Sequence, residues 1–210
     1  MLSTKSILFS SLITGALFLW PLSASALSYS FDSPLGNIGN THIYSVAGAP
    51  NITASGFLND GHTADLFGKN DSPSESGLGI NNENDHEIDN LHFVQLDLSG
   101  LWAISPSGLT MTIGSAQSGE GFNLFGSNSL SSLGTQLSGY TTSTSGDVTT
   151  VTFGSLPNNF KYLGVQATNG DVLIDTLAVN VPEPMTYLIL GAALGLVFLA
   201  KRRRTARQIG

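Results

Sequence analysis

Two short segments decide the fold class: Val94-Gln95-Leu96-Asp97-Leu98 and Leu109-Thr110-Met111-Thr112-Ile113. In both, apolar residues alternate with polar ones. A period of two places the apolar side chains on one face of an extended strand, so both segments predict half-buried β-strands. Weaker or similar patterns predict six further strands, at residues 28–31, 42–46, 52–58, 148–153, 162–167 and 172–181.

The arrangement of these strands predicts one all-β domain. Asn169-Gly170-Asp171 separates the last two segments, and Asn-Gly suits the tight turn of a β-hairpin, so these two strands are expected to pair. Residues 27–181 contain no convincing amphipathic helix and are long enough for one hydrophobic core. We therefore expect a β-sandwich or jelly-roll-like domain over residues 27–181.

The C-terminal end carries three elements in a fixed order: Val181-Pro182-Glu183-Pro184, an apolar run over residues 185–200, and Lys201-Arg202-Arg203-Arg204. The prolines interrupt regular structure before the apolar run. Sixteen helical residues span about 24 Å, slightly less than a hydrocarbon core of about 30 Å, so a short transmembrane helix is predicted. The basic cluster acts as a membrane stop that stays cytoplasmic, with residues 205–210 as a cytoplasmic tail.

The N-terminal end predicts export of the domain. Lys5 precedes an apolar stretch over residues 7–22, and Ala24-Ser25-Ala26 then supplies small residues where a signal peptidase cleaves. We expect residues 1–26 to be a signal peptide that is removed after Ala26. The alternative is an uncleaved membrane helix.

The C-terminal pattern of Val181-Pro182-Glu183-Pro184, a glycine-bearing apolar helix and terminal arginines resembles the PEP-CTERM sorting domain of exported proteins in Gram-negative bacteria. The sorting signal then covers residues 182–204. The resemblance implies processing by an exosortase-like enzyme and an association with exopolysaccharide or biofilm matrix. It also implies an inner-membrane anchor, transient or permanent, with the domain in the periplasm and, after processing, at the cell surface or outside the cell. A plain single-pass anchor is the alternative.

A second, less specific resemblance lies in the domain itself. Gly77-Leu78-Gly79-Ile80, Glu87-Ile88-Asp89-Asn90 and several later Gly-containing segments are similar to those of many PEP-CTERM ectodomains. This resemblance covers residues 77–181. It bears on fold and export more than on activity.

The charge of the predicted domain excludes one class of partner. Fourteen of the 15 acidic residues lie in residues 27–181, but only Lys69 and Lys161 of the eight basic ones do, for a net charge of about −12 with neutral histidines. Nucleic acid is therefore not an expected partner, because phosphates need clustered Lys and Arg. The absence of cysteine also excludes disulfides, thiol nucleophiles and zinc–thiolate sites.

The segment 81–90, Asn-Asn-Glu-Asn-Asp-His-Glu-Ile-Asp-Asn, is the candidate metal site. Glu83, Asp85, Glu87 and Asp89 occupy alternating positions, so in an extended segment they project to one side, about 7 Å apart. Ca²⁺ prefers such oxygen-rich loops, although the EF-hand pattern is absent because no glycine occupies the sixth position. The competing interpretation is a solvated acidic loop.

Three functions remain open at this stage. The first is a non-catalytic, exported surface or matrix protein. The second is a Ca²⁺-dependent glycan-binding module, in which Trp102 and other aromatic residues stack on sugars, although Trp102 also fits a half-buried place at the rim of the core. The third is a polysaccharide hydrolase, which no local motif supports, since the four histidines are scattered and no His-Glu-x-x-His or Gly-x-Ser-x-Gly occurs. We expect no catalytic residues.

Overall fold

The computed structural model of the protein describes residues 24–82 and 85–182. These residues form 15 β-strands and one helical turn, α1 (Ser99–Trp102), and all pairings between the strands are antiparallel. The strands build two sheets. The prediction of an all-β fold is confirmed.

The first sheet contains eight strands: seven lie in one continuous order, and the eighth, β1, pairs along β15 only. In spatial order they are β12 (Tyr140–Ser145), β13 (Val148–Phe153), β9 (Gly108–Gly114), β15 (Leu173–Pro182), β7 (Glu75–Ile80), β6 (Leu66–Ser72) and β2 (Gly36–Gly39), with β1 (Ala24–Ser30) paired to β15.

The second sheet contains seven strands, with a short one beside β4. In spatial order they are β11 (Thr135–Gln136), β10 (Gly121–Ser127), β14 (Tyr162–Asn169), β8 (His92–Asp97), β4 (Ile52–Leu58) and β3 (Thr41–Tyr44), with β5 (Thr63–Ala64) paired to β4.

Side chains of both sheets contribute to one hydrophobic core. Met111, Ile113 and Leu177 come from the first sheet, whereas Val94 and Val165 come from the second, and each is completely buried. The alternation that predicted β9 is preserved, since Leu109, Met111 and Ile113 are buried while the two threonines between them are partly exposed. Burial of one face of each sheet is the main stabilising contribution, at about 25 cal/mol per Å² of apolar surface.

The predicted hairpin at Asn169-Gly170-Asp171 is wrong. β14 pairs with β8 and β10 in the second sheet, whereas β15 pairs with β9, β7 and β1 in the first. Both edges of each strand are therefore occupied by other strands. Gly170 adopts a positive φ of 68°, as the turn prediction requires, but the chain crosses between the sheets at this point.

Several strands lacked a recognisable sequence pattern. β7 and β10 contain two glycines each, and β12 is a run of threonine and serine after Tyr140 that is exposed at all positions except the first. Few apolar residues in these strands alternate, so the period of two is hidden. Backbone pairing with the adjacent strands places them in the sheets.

Residues 24–82 and 85–182 include no helix with the length and apolarity that a membrane span requires. The predicted transmembrane helix 185–200, the basic stop and residues 1–23 of the predicted signal peptide lie outside the described residues.

Candidate functional site

The two ends of the described chain meet at one end of the β1–β15 pair. The register runs from Ser30 opposite Thr176 to Ala24 opposite Pro182, over seven consecutive pairs. Ala24 and Ala26, the two small residues just before the predicted signal cleavage point, therefore lie opposite Pro182 and Asn180. The first and last described residues of the chain therefore lie side by side in the first sheet.

The predicted sorting motif is divided at this boundary. Val181 and Pro182 are the last residues of β15, and the half-buried side chain of Val181 packs against the core. Glu183 and Pro184 lie outside the described residues, as do Lys201, Arg202, Arg203 and Arg204 of the membrane stop. The part that the structure describes is thus an ordinary strand end, joined directly to the proposed recognition sequence.

The described residues of the acidic segment between β7 and β8 do not form an extended strand. The Asn82 side chain organises it, since Oδ1 accepts hydrogen bonds from the backbone N–H groups of Asp85 and His86, and Nδ2 donates to the carbonyl of Glu87. His86 adopts a positive φ of 67°. Asp85, Glu87 and Asp89 therefore do not line up on one side as they would in an extended segment, and each of these three carboxylates has its own partners.

Glu87 forms a buried ion pair. Lys69 Nζ of β6 lies 2.5 Å from Glu87 Oε1, and the Lys69 and Glu87 side chains are 11% and 5% exposed. Burial raises the pKa of Glu87, outweighing the hydrogen bonds from Lys69 and Ser115, which lower it. Burial lowers the pKa of Lys69, but its hydrogen bond to Glu87 and the surrounding carboxylates raise it overall. Two further carboxylates, Asp71 and Glu75, lie 3.7 Å from Lys69 Nζ.

The Asp89 side chain accepts hydrogen bonds from the backbone where β8 begins. Its Oδ1 accepts hydrogen bonds from the backbone N–H groups of Leu91 and His92 at 2.8 and 2.9 Å. The same oxygen lies 2.7 Å from His92 Nδ1. This carboxylate therefore serves as a local anchor for the turn into β8.

Asp85 has a partner that the sequence did not indicate. Asp171, in the connection between β14 and β15, forms a side-chain hydrogen bond with Asp85. Burial, this bond and the charges of Asp85, Glu87 and Asp89 together raise the pKa of Asp171 to about 7, with burial contributing most. One proton shared by two carboxyl groups reduces the repulsion between them.

A pair of backbone hydrogen bonds brings Asp171 to this position. Ile88 and Val172, both completely buried, each donate an N–H to the carbonyl of the other. The β7–β8 and β14–β15 connections, both of which cross between the sheets, are thereby joined. We call Asp85, Glu87, Asp89 and Asp171 the acidic cluster.

Of the four predicted calcium ligands, Glu83 lies outside the described residues, and Asp85, Glu87 and Asp89 are directed to different neighbours. Within residues 24–82 and 85–182, no group of three or more His, Asp or Glu side chains has the geometry to hold a metal ion. The calcium site stays a prediction. Sequence reasoning missed Asp171, Lys69 and Ser115, since none of them is near the acidic segment in the chain.

Trp102, the candidate sugar-stacking residue, lies at the rim of the core. Its Nε1 donates to the backbone carbonyl of Phe160 at 2.7 Å, and its half-buried ring packs against the hydrophobic core. Tyr140 packs against Phe153, with 6.0 Å between the ring centres. The contacts of both residues are those of structural side chains.

Comparison with known proteins finds no matching family model, no matching curated protein and no matching solved structure.

Proposed function

We propose that this chain is an exported, non-catalytic surface or extracellular-matrix protein. In this proposal, residues 27–181 form a β-sandwich ectodomain, residues 1–26 are a signal peptide, and a PEP-CTERM-like signal over residues 182–204 sorts the protein. An exosortase-like enzyme and signal peptidase process the two ends, and the ectodomain associates with exopolysaccharide.

The pairing of Ala24 with Pro182 carries the proposal. Both predicted membrane segments join the domain at the same end of one strand pair, so both can enter a single bilayer without distorting the sheets. A domain with its two ends at opposite poles would need a long linker to do so. The placement of the core between two sheets supports the sandwich architecture.

The negative charge of residues 27–181 supports a location of the domain outside the cell and away from the cytoplasmic face of the membrane. A net charge of about −12 over residues 27–181 favours solubility in a hydrated polymer and disfavours binding to anionic lipid headgroups. The predicted domain lacks cysteine, so its folding does not depend on the redox state of its surroundings.

Mass spectrometry of the mature protein, isolated from exporting cells, tests the proposal at both ends. We expect an N-terminus at Leu27 and loss of the apolar run 185–200. Recovery of an untrimmed chain from the cytosol would contradict it. Fractionation of the secreted polymer tests the matrix association, with the protein expected in the polysaccharide fraction.

A second candidate function is a Ca²⁺-dependent glycan-binding module, and the contact between Asp171 and Asp85 favours it. Two carboxyl groups held together with Glu87 and Asp89 close by suffer repulsion that a divalent cation would relieve in place of the shared proton. Thermal unfolding in Ca²⁺ and in chelator tests this candidate, because a bound ligand raises the midpoint. Equal midpoints would eliminate it. In this candidate, the Asp171→Asn variant should lose the effect of Ca²⁺ on the midpoint. The Asp147→Asn variant, at an exposed acid away from the cluster, is the matched control and should keep it.

A further inference from the structure

Removal of the signal peptide alters the end of β15. Cleavage after Ala26 takes away Ala24, Ser25 and Ala26, which pair with Pro182, Val181 and Asn180. Four pairs remain, from Leu27 opposite Val179 to Ser30 opposite Thr176. Tyr29, only 1% exposed, holds the shortened β1 in the core, so the rest of the strand stays in place.

The loss affects two residues of β15 more than the others. Asn180 keeps its pairing with Gly108 of β9, and its carbonyl still accepts a hydrogen bond from the Ser107 N–H at 2.8 Å. Val181 and Pro182, by contrast, have no strand partner in the described part of the chain except Ser25 and Ala24. Cleavage of the signal peptide therefore frees the backbone immediately before Glu183.

The freed backbone is the end of an extended strand whose β1-facing edge is no longer paired. Proteins commonly bind a peptide segment as an added extended strand, through hydrogen bonds to its main chain. While β1 is intact, that edge of Val181 and Pro182 is covered. The release of two residues also adds about 7 Å of reach between the folded domain and the predicted membrane helix.

We infer that signal-peptide cleavage precedes and permits processing of the C-terminal motif, because residues 24–26 mask the strand end that leads into it. This inference rests on the proposed function. It assigns β1 two roles in turn: a mask over Val181 and Pro182 in the precursor, and a core strand in the mature protein. The expected partner of the freed strand end is the membrane-bound processing enzyme.

The test compares full-length precursors in exporting cells. Ala24→Val/Ala26→Val removes both small residues that a signal peptidase recognises and retains residues that favour a strand. Ala24→Pro/Ser25→Pro/Ala26→Val also retains the signal peptide but unpairs the strand. Successive N–H groups of a strand point to opposite edges, so two adjacent prolines remove the donor that faces β15. Pulse-chase labelling followed by mass analysis of both termini gives the rate of C-terminal processing.

With the signal peptide retained and the strand intact, we expect C-terminal processing to be at least about tenfold slower than in the wild type, since the masking backbone hydrogen bonds must first break. With the signal peptide retained and the strand unpaired, processing should return to within about threefold of the wild-type rate, because no strand pairing then opposes it. The Ser25→Pro variant is the matched control, since its altered residue is discarded with the signal peptide and maturation should be normal.

Either of two results overturns the inference. One is processing of the Ala24→Val/Ala26→Val precursor at the wild-type rate. The other is equal blockage of both uncleaved precursors, which would attribute the block to the retained membrane segment and not to strand pairing. A wild-type chain that never loses residues 185–210 would instead contradict the proposed function, and the inference with it.

Discussion

Ile88 and Val172 exchange two backbone hydrogen bonds, at 2.9 and 3.0 Å, and so join two connections that are 84 residues apart in the chain. Each connection crosses from one sheet to the other. The joint holds Asp171 against Asp85 although nothing in the sequence relates these two residues. The acidic cluster is therefore a product of the topology, and its stability should depend on protonation.

The acidic cluster should make the protein less stable as pH rises from about 4 to about 7. Burial and the neighbouring carboxylates raise the pKa of Asp171 to about 7 in the folded protein, whereas the pKa of an unfolded aspartate is about 3.9. Between these values the folded state holds a proton that the unfolded state has lost, so the free energy of unfolding falls with rising pH. Thermal unfolding of the mature protein should show a lower midpoint at pH 8 than at pH 5.

The Asp171→Asn variant should flatten this pH dependence and raise the midpoint at pH 8. A shallow slope of the same sign should persist, because burial also raises the pKa values of Glu87 and Asp175. Asp147→Asn, at an exposed position, should leave the wild-type slope unchanged. An Asp171→Asn protein with the full wild-type slope would contradict the assignment.

Loss of Lys69 should destabilise the fold strongly. Lys69→Met leaves the buried Glu87 carboxylate without its cation, and breaking a buried pair on one side costs about 3 kcal/mol or more. Chemical denaturation measures the change. The Lys69→Met/Glu87→Met variant should recover part of the loss, since it leaves no unpaired charge.

Lys161→Met is the control for that experiment. Lys161 is the other lysine of residues 27–181 and is exposed, so its replacement should change the free energy of unfolding by no more than about 0.5 kcal/mol. Equal effects of Lys69→Met and Lys161→Met would show that the ion pair with Glu87 contributes nothing to stability.

Gly79 should tolerate no side chain. A Cβ at this position would lie 2.0 Å from the carbonyl oxygen of His86 and 2.9 Å from Glu87 Cα, so Gly79→Ala must displace the acidic segment. We expect a loss of about 2 kcal/mol. Gly164→Ala is the matched control, since the nearest atom to its Cβ, in Phe125, lies at an ordinary 3.4 Å. Similar midpoints of denaturation for the two variants would refute the close packing of the segment.

The sorting motif should be needed for maturation. Glu183→Ala or Pro184→Ala is expected to leave the precursor in the inner membrane if an enzyme reads Pro182-Glu183-Pro184, as membrane fractionation and the C-terminal mass would show. Normal maturation of both variants would identify the tail as a plain anchor. Deletion of Lys201 to Arg204 should impair membrane retention, because the basic cluster sets the orientation of the helix.

The strands that the sequence predicts well are those in which apolar and polar side chains alternate and so show which face is buried. β9 and β13 were predicted within a residue of their ends because Leu109, Met111, Val151 and Phe153 alternate with threonines. β7 was missed because Gly77 and Gly79 provide no side chain at alternate positions. Close backbone approach, which only the folded chain reveals, requires glycine there.

The candidate site shows the same division. Local reasoning identified Asp85, Glu87 and Asp89 as an acidic group but could not supply their partners. Lys69 reaches Glu87 from a neighbouring strand, and Asp171 arrives by a crossing that the hairpin prediction had excluded. Long-range pairing of this kind leaves no periodic trace in the sequence.

The antiparallel pairing of β1 with β15 also sets how the domain responds to force. Because Ala24 and Pro182 lie at the same end of the strand pair, tension that separates the two chain ends opens one pair after another, as a zipper does. Strands pulled from opposite ends would instead have to shear all of their bonds at once. A precursor held in the membrane by both ends would therefore begin to yield at residues 24–26, while the buried Tyr29 is still protected from the load.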